Sequence, residues 1–160
     1  MTTKVTMELA YDASPDEVYA MLTDPAFREG ACHRMKVLRA TAAVAESGDA
    51  TVVTIDQVQP AKGLPSFATK LVGDEIQIVQ EETWTGGRQA DVHVSIPGKP
   101  GEMVGSAVLE ETAGGTVEKV DLEIRVRIPL VAGKIEKLVA HMLRKALEAE
   151  NEAGRDYLSR

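Results

Sequence analysis

From Lys119 to Ile128 apolar and charged residues alternate without a break. Val120, Leu122, Ile124, Val126 and Ile128 share one parity, and Lys119, Asp121, Glu123, Arg125 and Arg127 share the other. Successive side chains of a strand point to opposite faces, so this pattern predicts a strand with one apolar face and one wet face, the signature of an antiparallel sheet. The same period of two recurs at Val5, Met7, Leu9 and Tyr11, at Ile76, Ile78 and Trp84, and at Ala90, Val92, Val94 and Ile96. The stretches "MKVLRATAAVAE" and "ATVVTIDQVQ" flank a turn at Ser47–Asp49, while "GGR", "GKPG" and "AGG" separate the later strands. Short turns between consecutive strands favour antiparallel hairpins.

Two segments after the first strand follow a helical pattern. In "SPDEVYAMLTD" Ser14 can cap, Pro15 suits the first helical position and Glu17 completes a capping box, so a helix starts there and ends near Thr23, before Asp24-Pro25. A second short helix is expected from Pro25 to about Cys32. "PAKGLPSFATKLVG" holds two prolines and two glycines and reads as a loop with about one helical turn.

The last helix is expected from about Lys134 to Tyr157, roughly 36 Å long at ~1.5 Å per residue. Ile135, Leu138, Val139, Met142, Ala146, Ala149 and Ala153 form its apolar stripe, opposite Lys134, Lys137, His141, Arg144 and Glu148. Pro129 ends the preceding strand, and Gly133 is expected to let the chain swing onto the sheet. One strand, two short helices, six strands and one long helix make an α+β order. A seven-stranded antiparallel sheet twists and curls, and its concave face is where the long helix can bury its stripe.

The "SPDEVYAMLTDP" start and the "RVRIPLVAGKIEKLVAHML" strand-to-helix junction resemble the helix-grip fold of the START-like (SRPBCC) superfamily, which includes birch-pollen-allergen-like proteins, polyketide cyclases and lipid-transfer domains. The likeness is greatest to an uncharacterised bacterial branch and covers the whole chain, so residues 1–160 are expected to form one helix-grip domain. The resemblance implies a cavity between the curled sheet and the C-terminal helix for an apolar or amphipathic small molecule, such as a lipid or a polyketide-like compound. Expected wall residues are Met21, Phe27, Ile55, Trp84, Val94, Met103, Leu122, Ile124, Val126, Leu138 and Met142, with Gln80, Glu82 or Thr54 fixing orientation. Two alternatives stay open: a cyclase/aromatase-type enzyme acting on an enclosed apolar substrate, and a regulatory protein whose interior is filled by its own side chains. Periodicity is the same for a wall and for a core.

Candidate chemistry is sparse. Glu82 shares parity with Ile76, Ile78, Gln80 and Trp84, so it is either an inward general acid/base with a raised pKa or a residue that bends out to solvent. His33, His93 and His141 fall on different elements without ligand spacing, so no metal is expected. Cys32 and His33 are neighbours on a helix and do not face each other, so no catalytic residue is assigned. The glycine-rich loops lie between strands, where a phosphate cradle is not built, and no cofactor is expected.

Composition narrows the classes further. The chain is 44% hydrophobic and 27% charged with a net charge of −7, and it has only three Tyr, two Phe and one Trp. These values disfavour nucleic-acid binding. Residues 119–145 carry seven basic and three acidic side chains, a local excess of +4; this is either a solvated face or a weak attraction to an anionic membrane surface or headgroup. A single cysteine, Cys32, fits a reducing compartment. The N-terminal alternation lacks the apolar core of a signal peptide, and no apolar run approaches the ~18 residues of a membrane span, so the expected location is cytoplasmic. Neither the ligand nor the oligomeric state is legible at this level.

Overall fold

Seven antiparallel strands lie in the order β1-β7-β6-β5-β4-β3-β2 in the computed structural model, which describes residues 2–160. The strands are β1 (Thr2–Tyr11), β2 (Arg39–Ser47), β3 (Ala50–Pro60), β4 (Glu75–Thr85), β5 (Gln89–Ser95), β6 (Gly101–Thr112) and β7 (Gly115–Val126). The helices are α1 (Pro15–Leu22), α2 (Pro25–Arg34), α3 (Ser66–Val72) and α4 (Ala132–Leu158). The expected α+β architecture is present: a curled antiparallel sheet, two short helices after the first strand and a long C-terminal helix.

Register places the alternating residues on one face. Val5 stands opposite Leu122, Met7 opposite Val120 and Leu9 opposite Glu118. Glu82 pairs with Val92, Val92 with Gly105 and Gly105 with Leu122, so one inward row crosses five strands from β4 to β1. Gly105 allows the curl. A Cβ there would lie 1.9 Å from the Asp121 carbonyl oxygen, closer than any side chain tolerates, and glycine in a strand interior marks this kind of close backbone approach.

The capping box at α1 forms as its sequence predicts: Ser14 Oγ accepts from the Glu17 N–H at 3.2 Å, and the Glu17 carboxylate accepts from the Ser14 N–H at 3.3 Å. α1 and α2 carry the chain from β1 at one sheet edge to β2 at the other. The loop after β3 holds a full seven-residue helix, α3, rather than one turn. Pro65 has no N–H to leave unpaired at its start, and Gly73 at φ 77° closes its end.

The turn into α4 is made by Leu130 at φ 72°, not by Gly133, which is already helical. α4 has no side-chain cap. Its start is fixed by Glu136, fully buried, which accepts from Thr3 Oγ1 at 2.9 Å and from the Val126 N–H at 3.1 Å. This bond satisfies a β7 amide beyond the end of the β1 ladder.

The helix is 27 residues long and packs mainly over β1, β7 and α2. Its most buried line is Glu136, Ala140, Leu147, Ala153 and Gly154. Ile135, Leu138, Val139 and Met142, the large members at the start of the expected stripe, are only half-buried. The face is rotated because Glu136 has partners inside the fold, which a polar-versus-apolar pattern scores as outward.

Candidate functional site

A cavity of about 80 Å³ lies between α2, α4 and the concave face of the sheet. Its apolar lining comes from Ala31 on α2 and Met35 at the C-cap of that helix, Ile55, Val92, Ala107, Val120 and Leu122 on the sheet, and Leu143, Ala146 and Leu147 on α4. Among these stand Arg28, Cys32, Gln57, Gln80, Glu82, Glu118 and Glu150. The interior is therefore more polar than the strand periodicity suggested.

Arg28 reaches inward because Phe27, Arg28, Ala31 and Cys32 form the buried face of α2. Its guanidinium holds Glu82 in a bidentate pair, Nη1 to Oε1 at 2.9 Å and Nη2 to Oε2 at 2.7 Å. Nη1 also donates to the Leu22 carbonyl at 3.0 Å. Glu82 accepts two further bonds, from Trp84 Nε1 at 3.0 Å and from Gln80 Nε2. Four donors saturate the carboxylate. Burial alone would raise its pKa, but the Arg28 charge and these hydrogen bonds override burial and hold Glu82 below the usual carboxylate range. The alternatives left open for this residue thus both give way: Glu82 is inward, with 5% of its surface exposed, yet it is an ionised structural partner rather than an acid with a raised pKa.

The raised acids are two others. Glu118 on β7 is 5% exposed, and its Oε1 has no hydrogen-bond partner. Burial, then the neighbouring Glu150 and Glu82 charges, push its pKa well above the ordinary value against the pull of Arg28. Glu150 on α4 keeps 18% of its side chain exposed and approaches Arg28 Nη2 at only 3.9 Å. Burial raises its pKa too, with Arg28 opposing and Glu82 reinforcing. The Tyr11 hydroxyl is also buried without a partner, and burial followed by Glu118 and Glu150 drives its pKa upward. The Cys32 thiol is buried and its pKa is pushed up to about 11 by burial, which disfavours the thiolate form.

Of the expected wall residues, Ile55, Gln80, Glu82 and Leu122 line the cavity. Met21, Phe27, Trp84 and Val94 are buried in the main core, and half-buried Met103 packs against it. Ile124 is buried with Val5 and Ala140 in a second cluster, against which Val126 packs. Leu138 and Met142 are half-buried on α4. Thr54 has the parity opposite to Ile55 and lies on the outer face; Gln57 takes the inward place.

Arg28, Glu118 and Glu150 were missed. Glu118 continues the inward parity of Val120 and Leu122, and Arg28 sits within the apolar face of α2, so both left a signal: a charged residue on a buried period.

His33, His93 and His141 are exposed, and His93 Nε2 lies 2.9 Å from Glu102. No group of three or more potential metal ligands occurs among the described residues. Much of the basic excess around β7 is neutralised locally: Lys119 faces Glu110 and Glu8, Arg125 faces Glu123, and Arg127 faces Glu102. None of the described helices is long and apolar enough to cross a membrane.

Residues 6–158 match the model of a family described as "Protein of unknown function (DUF2505)". The chain belongs to this family. Curated relatives of this DUF2505 chain include "Uncharacterized protein Rv0481c" of Mycobacterium tuberculosis H37Rv and "Uncharacterized protein Mb0491c" of Mycobacterium bovis, each 31% identical over 111 residues. Those alignments cover 66% of the chain and 63% of each relative's length.

Solved structures with the same fold include TTHA0849 from Thermus thermophilus, with TM-score 0.64, 19% identity, and coverage of 98% and 95% of the two chains. The di-domain ARO/CYC BexL from the BE-7585A biosynthetic pathway matches with TM-score 0.65 and 15% identity, over 97% of this chain and 49% of that one. Ara h 8.0201 matches over the full length of both chains with TM-score 0.61 and 11% identity. DUF2505 in this chain therefore has the helix-grip fold expected from the resemblance.

Proposed function

We propose that this DUF2505 chain binds a small amphipathic molecule in the cavity between its sheet and α4. The observation carrying this reading is a polar group, Glu118 Oε1, buried without a partner at the wall of a space lined by both apolar and polar side chains. Leaving such a group unpaired costs about 1–3 kcal/mol, a cost that a ligand donor or an ordered water removes. The volume of about 80 Å³ is roughly half the ~150 Å³ of a cavity that admits benzene. A ligand larger than about four or five non-hydrogen atoms needs α4 or α2 to shift outward. The fold shared with a cyclase-pathway protein and with Ara h 8.0201 is consistent with an enclosed ligand and adds no identity for it.

Native mass spectrometry of the full chain, purified without detergent, tests the reading beside an Ala146→Phe variant that fills the cavity. A bound mass present on the wild type and absent from the variant is expected. Bare chains in both, with no hydrophobic dye bound or displaced, contradict it.

A second reading, catalysis on an enclosed substrate, is supported by the same Glu118, whose raised pKa suits a general acid. Glu118→Gln would then abolish turnover of a substrate that it still binds.

A further inference from the structure

We infer that the cavity selects a ligand bearing a protonated amine on a short apolar chain, with the ammonium group against Glu118 and Glu150. This rests on the binding reading above and names its ligand class.

Three carboxylates, Glu82, Glu118 and Glu150, line the cavity with one guanidinium, Arg28. Glu82 and Arg28 neutralise each other through a bidentate pair. That leaves Glu118 with no cation of its own, and Glu150 with only a long approach of Arg28 Nη2 at 3.9 Å, which it shares with Glu82. Glu118 Oε1 is unpartnered in a residue only 5% exposed. Such a group accepts a hydrogen bond from whatever occupies the space, and an ammonium supplies both the donor and the missing charge.

An anionic ligand finds no equivalent anchor. Arg28 commits three of its five N–H donors to Glu82 and the Leu22 carbonyl, its charge is already shared with Glu82 and Glu150, and displacing Glu82 would strand a buried carboxylate. A metal ion is disfavoured because no group of three or more potential ligands gathers among the described residues. An organic cation fits because Val120, Leu122 and Leu147 give the remainder of the wall an apolar surface.

Until an ammonium binds, a proton supplies the positive charge: burial first, then Glu150 and Glu82, raise Glu118 well above its ordinary value. Ammonium binding expels that proton to solvent. Arg28 opposes the rise, and the Glu118 charge in turn helps to raise the pKa of the buried Tyr11 hydroxyl.

The test is an NMR titration of the full chain with n-butylamine, 1-butanol and butyrate, which share one chain and differ in head charge. The amine is expected to bind at least about tenfold tighter than the alcohol, with no saturable binding of butyrate. Its affinity should rise as pH climbs above the ordinary carboxylate range and the competing proton leaves. Glu118→Gln, an uncharged near-isostere, should lose about tenfold or more for the amine and leave the alcohol unchanged; Glu150→Gln gives a second, partly exposed site for the same comparison. Equal binding of amine and alcohol, or preference for butyrate, overturns the amine inference and leaves the cavity a ligand site. Binding of none of the three overturns both.

Discussion

Replacing Arg28 with Met tests whether the buried pair organises the interior. Arg28 is 3% exposed and Glu82 5%, and the guanidinium supplies two of the four bonds that saturate Glu82. The substitution leaves a buried carboxylate with only Trp84 and Gln80 as donors and strips the Leu22 carbonyl of its partner. Breaking a buried pair from one side costs about 3–5 kcal/mol. In a chain of 160 residues that lowers Tm by roughly 6–20 °C at ~2–4 °C per kcal/mol.

The loss depends on pH. In the wild type the Glu82 pKa is depressed, so its contribution is present above the unfolded carboxylate pKa of ~4.3 and fades as pH falls through the folded value. In the variant burial raises that pKa, so stability falls as pH climbs above ~4.3. The difference between the two proteins is therefore smallest below the depressed folded pKa of Glu82 and grows toward pH 7. Urea unfolding followed through Trp84, the sole tryptophan and itself bonded to Glu82, reads both. Arg28→Met/Glu82→Met should recover most of the loss, since no charge is then stranded. A single-variant loss under about 1 kcal/mol at pH 7, or a loss that does not change with pH, would refute the reasoning.

Glu118→Gln should change the pH profile in the opposite sense to Glu82. A raised folded pKa gives stability that is full below the unfolded ~4.3 and lost as pH rises from there toward the folded value, so the variant should gain on the wild type as pH climbs above ~4.3, by no more than ~1.4 kcal/mol per pH unit; parallel profiles in urea melts would contradict this. Gly154→Ala should destabilise by about 1–3 kcal/mol in thermal melts, because a Cβ there would lie 2.6 Å from the Tyr11 ring and 3.0 Å from Met21 Cε. The Cys32 thiol, buried with its pKa pushed up to about 11, should resist a thiol-specific disulfide reagent until urea unfolds the chain, and rapid labelling of the folded protein would contradict its placement.

Strand number, helix order and the inward parity of β1, β4, β5 and β7 were legible because burial on one face forces a period of two, and that period survives in the residues. What escaped is the charge inside. A pattern that scores charged residues as outward places Glu136 and Glu150 on the wrong side of α4 and passes over Arg28, although each has a partner or a cavity to face. Thr3 and Val126 hold Glu136, and Glu82 holds Arg28, across sequence separations of 133, 10 and 54 residues. Pairing at such distance is a property of the folded sheet and the helices packed on it, and leaves no local trace. Glu82 shows the same limit from the other side: its parity was readable, but the sign of its pKa shift depended on Arg28, which arrives from α2.

Methyl-resolved NMR of the full chain during the n-butylamine and 1-butanol titrations tests the central claim most directly, because it locates the occupied space. Ligand between the sheet and α4 should shift the methyls of Ile55, Val120, Leu122, Leu143 and Leu147 together, all of which line that cavity. Shifts confined to Leu64 and Thr69, in the open groove between β3 and α3, or no saturable shift at all, would contradict it.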